Sequence, residues 1–206
     1  MGADDRRMKP IYIVSGWMRS GTTMMMRCLD AGGIAVVRDP DNPDWEIGRN
    51  NYELHNTPEI YEGKAVKSLK VGPMRMRPWG GGYKLIHMKR SARAQQESWI
   101  ARFGVMKQLE EIERQAQLSL DLAYNRRDTE VLEVSYNDVV DAPLAAMLVV
   151  ADFLQHPTWD AYRAAEVVDT KLRHWTIEDM PGVEVVSEAD EEAFRRMLQM
   201  AGTTSG

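Results

Sequence analysis

Two glycines, Gly16 and Gly21, occur in a stretch whose residue types could hold a phosphate group. Their spacing is that of the loop Gly-x-x-x-x-Gly-Lys-Ser/Thr, in which backbone amides converge on one anion. Here Thr22 and Thr23 follow the second glycine, so the usual lysine is missing. That absence argues against ordinary ATP or GTP chemistry, and Arg19 inside the loop can supply a cation from another direction. A turn without a ligand would explain two glycines alone, but the complete string 16–23 favours phosphate binding.

The loop needs a strand before it and a helix after it. Residues 11–14 are short, apolar and β-branched, which is typical of a buried parallel strand. Residues 22–31 form an apolar helical stretch, and the glycines at 32 and 33 predict its end. A helix that begins directly after the loop adds its N-terminal dipole and unpaired amides to the anion site.

The rest of the chain alternates strand and helix patterns. Further strands are predicted at residues 34–37, 65–69, 84–88 and 130–134. Helices are predicted at residues 58–61, 91–103, 105–125, 143–154, 159–168 and 188–200. This alternation predicts a three-layer α/β sandwich with a mostly parallel, five-stranded sheet, in which ligands bind at the carboxyl ends of the strands. We expect a single domain over residues 1–206, with a motif-bearing core at about 11–154 and a helical C-terminal extension at about 158–200.

Composition excludes several classes of protein. The chain has 206 residues, of which 44% are apolar and 28% charged, as expected for a globular protein with a real core. A formal charge of -5 argues against general nucleic-acid binding. One cysteine cannot form an internal disulfide, which fits a reducing compartment. No apolar run approaches the roughly 20 residues of a membrane span, and no signal core follows the N-terminus. We therefore expect a cytoplasmic protein.

The string Met18-Arg19-Ser20-Gly21-Thr22-Thr23 resembles the 5′-phosphosulfate-binding loop of sulfotransferases, usually written Pro-Lys/Arg-Ser-Gly-Thr-Thr. The chain departs from that pattern at Met18, where proline is usual. The resemblance implies a P-loop NTPase-like fold and 3′-phosphoadenosine 5′-phosphosulfate (PAPS) as donor, with adenosine 3′,5′-bisphosphate (PAP) as the nucleotide product. It covers about residues 11–154 and is closest to short bacterial and phage-type sulfotransferase-like proteins. Gly16 and the residues 19–23 are then the expected contacts of the donor's 5′ end.

The resemblance also implies a second phosphate site, for the donor's 3′-phosphate. Sulfotransferases place an arginine just after a strand and a serine eight residues later on the next helix. Arg90 and Ser98 match these two positions here. A third match is the segment 132–140, which looks like the family's strand and Tyr-Glu-Asp-Leu string. We expect structural roles for its Tyr136, as a buried aromatic, and Asp138, as a helix cap.

The residues of catalysis are less clearly marked. Many relatives place a histidine after the lysine of their third strand, but this chain has Ser68-Leu69 after Lys67. Lys67 matches the family's lysine and is the candidate contact of the bridging oxygen or sulfuryl group. Glu53, in a string that looks like the family's own, is the candidate general base, and Glu46 and His55 are competitors. We expect His87 to be a buried, hydrogen-bonded histidine.

Three readings of function follow. The first is a PAPS-dependent sulfotransferase acting on a hydroxyl or amine of a small-molecule or glycan acceptor. The alternatives are a divergent P-loop nucleotide-binding protein, either a kinase-like enzyme or a non-catalytic binding module. No metal site is expected, because the acidic residues form no spaced cluster. The acceptor and the oligomeric state cannot be read from the sequence.

Overall fold

A computed structural model describes residues 8–37, 58–68, 76–103 and 108–169. All of them belong to one compact unit, Met1–Arg173. The predicted helix at 188–200 lies outside the described residues. The prediction of a single domain over the whole chain stays a prediction.

The sheet has four parallel strands in the order β2-β1-β3-β4. They are β1 (Ile11–Ser15), β2 (Ala65–Lys67), β3 (Tyr83–Lys89) and β4 (Thr129–Ser135). Every residue of β1 is buried, because this strand lies inside the sheet and both of its faces are covered. The carboxyl ends of β1 and β3 therefore meet at one edge, where Ser15 stands opposite His87.

The predicted strand at 34–37 is wrong, so the described sheet has four strands where the sequence predicted five. Val36 forms only an isolated bridge to Ala65, supported by hydrogen bonds between Val37 N and Ala65 O and between Ala65 N and Ala35 O. β2 is three residues long and offers few ladder positions to a further partner. β-branched residues in this short run raised its apparent strand propensity, but a strand also needs a partner of matching length.

Helices follow the strands. They are α1 (Thr22–Ala31), α2 (Ala92–Phe103), α3 (Leu109–Tyr124), α4 (Tyr136–Asp141), α5 (Pro143–Leu154) and α6 (Ala161–Glu166), with a 3₁₀ turn at Pro58–Tyr61. The predicted end of α1 is confirmed. Gly33 has φ 97°, and hydrogen bonds run from Gly33 N to Asp30 O and from Ile34 N to Leu29 O, as in a Schellman motif. The predicted helix at 159–168 is shorter at both ends.

Two apolar clusters lie on opposite faces of the sheet. On one face, Val14 and Met88 contact buried residues of α1, α5 and α6. On the other, Ile13 and Leu85 share a cluster with Ala123 of α3. Successive strand residues point to opposite faces, which explains why neighbours in β1 and β3 enter different clusters. The predicted three-layer α/β architecture is therefore confirmed. No helix of the described residues is both long enough and apolar enough to cross a bilayer.

Candidate active site

The glycine loop, residues 16–21, connects β1 to α1 in a conformation that requires its two glycines. Gly16 has φ 143° and Gly21 has φ 97°, values that L side chains rarely adopt. A Cβ on Gly16 would lie 2.7 Å from the Met88 carbonyl oxygen at the end of β3. A Cβ on Gly21 would lie 2.5 Å from Cδ2 of Tyr136. The glycines therefore allow two other elements to approach the loop closely.

The loop presents the N-terminus of α1 to its interior. Gly21 is the N-cap residue and offers no side chain to the first amides, and the first turn has no acidic residue. Unpaired amides and the positive end of the helix dipole favour an anion at such a position. Thr22 is buried and Thr23 half-buried at the start of this turn, so two hydroxyl groups accompany the amides.

Arg19 occupies a strained position in the middle of the glycine loop. Its φ is 69°, in the left-handed region that favours glycine. Its Nε donates a hydrogen bond of 2.9 Å to Ser98 Oγ on α2. Strain of this kind is held in place by surrounding contacts and clusters at functional sites. The bond joins the glycine loop to the predicted second phosphate site.

Arg90, directly after β3, turns its guanidinium towards the glycine loop. Its Nη1 donates to the Arg19 carbonyl oxygen at 3.2 Å. Its guanidinium carbon lies 4.3 Å from the centre of the Tyr136 ring, a cation–π arrangement. Burial lowers the pKa of Arg90, although the neighbouring Tyr136 and Glu97 oppose the change. The two predicted anion sites are thus contiguous, with Arg19 in contact with both Arg90 and Ser98.

Two buried polar atoms in this region have no hydrogen-bond partner among the described residues. They are Ser20 Oγ in the glycine loop and Arg90 Nε. Leaving a buried polar group unsatisfied costs about 1–3 kcal/mol, and more for a charged group. An anion at the loop can accept hydrogen bonds from both. We call the glycine loop together with Thr22, Thr23, Arg90 and Ser98 the anion site.

Lys67 reaches the anion site from the end of β2. Its Nζ donates to Thr23 Oγ1 at 2.7 Å. Burial first, and then the positive charge of Arg19, lower the pKa of Lys67. An anion bound between these cations would reverse the shift, because an opposite charge favours the protonated amine. Three basic side chains, from two strand ends and the loop between them, therefore converge on one place.

Several predicted residues do not contribute here. Glu53, Glu46 and His55 lie outside the described residues, so the candidate base stays a prediction. His87 is buried as expected, but its Nδ1 has no hydrogen-bond partner among the described residues, which corrects the prediction of a hydrogen-bonded histidine. Among the residues that the structure covers, no three His, Cys, Asp or Glu side chains group as metal ligands.

The segment after β4 also differs from its prediction. The cap of α4 is Ser135, whose Oγ accepts a hydrogen bond from Asp138 N at 3.5 Å, so Asp138 is inside the helix and is not its cap. Tyr136 is a buried aromatic as expected, and it also supports Arg90. The sequence offered a signal for this role only in the position of Tyr136 directly after a strand end.

Known structures resemble this fold. Mouse sulfotransferase SULT7A1 complexed with PAP matches with a TM-score of 0.53 and 13% identity, over 98% of this chain and 87% of that chain. The sulfotransferase domain of the Synechococcus PCC 7002 olefin synthase matches with a TM-score of 0.46 and 15% identity, over 96% and 98%. The sulfotransferase domain of the curacin biosynthetic pathway has a TM-score of 0.39 and 14% identity, over 95% and 98%.

The comparison with the mouse enzyme identifies the class of fold: the chain has a sulfotransferase fold, with a parallel sheet and helices on both faces. At 13% identity the similarity concerns the backbone architecture. No protein-family model matches the chain, and no curated protein sequence matches it. The chemistry of the site has to be argued from its own residues.

Proposed function

We propose that the chain is a sulfotransferase that takes a sulfuryl group from PAPS and transfers it to a hydroxyl or amine of a small-molecule or glycan acceptor. One observation carries the proposal. Arg90 Nη1 contacts the Arg19 carbonyl oxygen at 3.2 Å while Arg19 Nε contacts Ser98 Oγ at 2.9 Å. Two elements that are predicted to bind phosphate, and are far apart in the sequence, are thus in contact with each other, which suits a ligand with two separate anionic groups.

The residues of the anion site fit the two ends of this donor. The glycine loop, with the amides of α1 and the hydroxyls of Thr22 and Thr23, suits the 5′ end. Arg90 and Ser98 suit the 3′-phosphate, because a guanidinium binds phosphate through charge-assisted hydrogen bonds. The unpartnered atoms Ser20 Oγ and Arg90 Nε support this fit. The mouse neighbour with the same fold was solved with PAP bound.

The donor, when bound, supplies an activated sulfuryl group at its 5′ end. The chain supplies positive charge beside it, from Arg19 within the loop and Lys67 from β2. Sulfuryl transfer leaves negative charge on the 5′-phosphate oxygen, and preorganised cations stabilise charge that develops in a transition state. Lys67 is held against Thr23, at the first turn of α1, so its amine is oriented before any ligand binds.

Removal of the acceptor's proton needs a base, and Glu53 is the proposed one. A carboxylate works as a base near neutral pH when its pKa is raised or the acceptor lies close to it. The acceptor is proposed only as a chemical class, a small molecule or glycan that carries a hydroxyl or an amine. A cytoplasmic location is proposed because the chain's one cysteine, Cys28, cannot form an internal disulfide, which fits a reducing compartment.

Two measurements test the proposal together. Calorimetry should detect binding of PAP at concentrations where ATP with magnesium does not bind. Transfer of labelled sulfate from PAPS to a panel of phenols, sugars and amines should then yield a labelled product. Binding of ATP with magnesium in preference to PAP would favour a kinase-like protein instead. PAP binding with no transfer to any acceptor would indicate a non-catalytic nucleotide-binding module.

The variant Arg19→Ala tests whether the glycine loop binds the nucleotide. The variant should bind PAP more weakly by about 1.5–3 kcal/mol, the range for a charge-assisted hydrogen bond. Arg27→Ala, at an exposed position on α1, is the control for loss of one positive charge nearby. Equal affinities in the wild type and the Arg19 variant would remove the glycine loop from the proposed site.

A further inference from the structure

Gln95 of α2 is a buried polar residue that the proposed donor contacts do not include. It is 4% exposed, and its Nε2 donates a hydrogen bond of 2.7 Å to the Arg90 carbonyl oxygen. Its Oε1 has no hydrogen-bond partner among the described residues. Within that part of the chain, the hydrogen bond that the amide makes is therefore to the residue that is proposed to bind the 3′-phosphate.

Arg90 lies in the two-residue connection between the end of β3 and the start of α2. Ser91 Oγ accepts a hydrogen bond of 3.3 Å from Ala94 N, as an N-cap side chain does at the third residue of a helix. Ala94 N is the amide that would otherwise reach back four residues, to the Arg90 carbonyl. Because the cap takes this amide, the carbonyl accepts from the Gln95 side chain, which joins α2 to the connection before it.

Three contacts hold Arg90, and they act on different parts of it. The Gln95 amide binds its carbonyl, whereas the Arg19 carbonyl and the Tyr136 ring contact its guanidinium, at 3.2 Å and 4.3 Å. The conformation of the backbone decides which side-chain rotamers are allowed and so the direction in which a side chain leaves its Cα. By fixing the Arg90 carbonyl, Gln95 therefore fixes the start of the side chain whose other end reaches the glycine loop.

We propose that Gln95 is a positioning residue for recognition of the 3′-phosphate: it holds the Arg90 carbonyl, and thereby keeps the guanidinium where it binds that group. Gln95 itself touches no ligand and acts through Arg90. A long, flexible side chain that is ordered before its ligand arrives binds more tightly, because less conformational freedom is lost on binding. The inference rests on the proposed function, since it takes the donor's 3′-phosphate as the group that Arg90 binds.

The test compares PAP with adenosine 5′-phosphate, which lacks the 3′-phosphate, by calorimetry of the full-length variant Gln95→Met. Methionine keeps an unbranched side chain of good helix propensity but has no donor. The ratio of PAP affinity to adenosine 5′-phosphate affinity should fall about 2- to 12-fold, the equivalent of one neutral hydrogen bond. Gln115→Met is the matched control, because it removes a bond of 2.9 Å to Glu111 on α3, and it should leave the ratio unchanged.

A double-mutant cycle distinguishes positioning from a general structural role. Arg90→Ala removes the guanidinium but keeps the backbone carbonyl that Gln95 binds. In the Arg90→Ala background, Gln95→Met should therefore leave the affinity ratio unchanged, because two residues that act as one unit have non-additive effects. An equal fall of the ratio with and without the guanidinium would overturn the proposal, and so would an unchanged ratio in Gln95→Met alone.

A measurement without nucleotide separates this inference from the proposed function. Arg90 Nε is buried, and the exchange of its proton with solvent is measured by NMR, with the signal assigned through Arg90→Lys. Gln95→Met should speed this exchange and Gln115→Met should not; an unchanged rate in Gln95→Met would overturn the positioning role whether or not PAP binds. Failure of the wild type to bind PAP would instead refute the donor. If Gln95→Met does not fold, Gln95→Asn decides by the same measurements, because its amide is one methylene too short to reach the carbonyl.

Discussion

Replacement of Arg90 by alanine tests whether the residue binds the 3′-phosphate of the nucleotide. In the structure the guanidinium has one bond to the glycine loop, from Nη1 to the Arg19 carbonyl oxygen, and its Nε has no partner among the described residues. A phosphate at Nε would receive a charge-assisted hydrogen bond worth about 1.5–3 kcal/mol. Loss of that bond corresponds to about 10- to 150-fold weaker binding of PAP.

The same variant also removes the bond to the Arg19 carbonyl. The donor is a charged guanidinium, so this bond is charge-assisted as well, and its loss would loosen the glycine loop for any ligand. Adenosine 5′-phosphate, which lacks the 3′-phosphate, reports this second effect alone. The ratio between the losses for the two ligands therefore isolates the contact with the 3′-phosphate, because the effect on the loop is common to both.

The assay is titration calorimetry of both ligands at one fixed ionic strength, since charged contacts are screened by salt. Arg93→Ala is the matched control: this arginine is three residues further on, in the first turn of α2, its side chain is 79% exposed, and it pairs with Glu97. The control should change neither affinity appreciably. Equal losses for PAP and adenosine 5′-phosphate in Arg90→Ala would refute the assignment of the 3′-phosphate to Arg90.

Three further outcomes are expected. Gly21→Ala should lower the free energy of unfolding by about 2–4 kcal/mol in urea titrations, because left-handed strain adds to a clash with Tyr136. Gly63→Ala is the control, since its φ is also positive, at 70°, but its nearest contact is 3.3 Å, and it should lower the free energy of unfolding clearly less. Equal losses in the two variants would argue against the clash. Glu53→Gln should slow sulfate transfer while PAP affinity stays unchanged in calorimetry, and normal turnover would mean that another residue is the base. Unfolding free energy should fall by up to about 3 kcal/mol as the pH drops from 6.5 towards 4, because the unfolded chain protonates His87 before the folded protein does; a His87→Leu variant with the same pH dependence would contradict this.

Local sequence accounts well for the elements next to the site. The predicted α1 has the observed bounds, because an apolar run and two glycines specify its end within a few residues. The strand predicted at 34–37 does not form, because local sequence alone does not specify a strand. Strand formation depends on a partner elsewhere in the chain, and the partner here, β2, has three residues. Strand propensity reflects how well side chains fit a pleated sheet, and it does not determine how many residues of two strands pair.

In the anion site, too, some features were predicted from the sequence and others were not. The glycine loop was predicted from spacing, and Arg90 and Ser98 from a resemblance, but the sequence contains no sign that Arg90 would contact the loop itself. Tyr136 beneath Arg90 and Gln95 behind it were not predicted as parts of the site either. Their roles arise from contacts between residues that are distant in the chain or on different elements, which no local pattern records.

The sequence alone determined which residues could bind an anion and which strand and helix would carry the loop, because conformational preference and hydrophobic periodicity act over a few residues. The tertiary structure alone decided that β1 and β3 would be neighbours, so that Arg19 and Arg90 meet at the same sheet edge. It also left His87 and Gln95 buried around a cavity. Strand order depends on the free energy of burying both sheet faces at once, and that is a property of the whole chain.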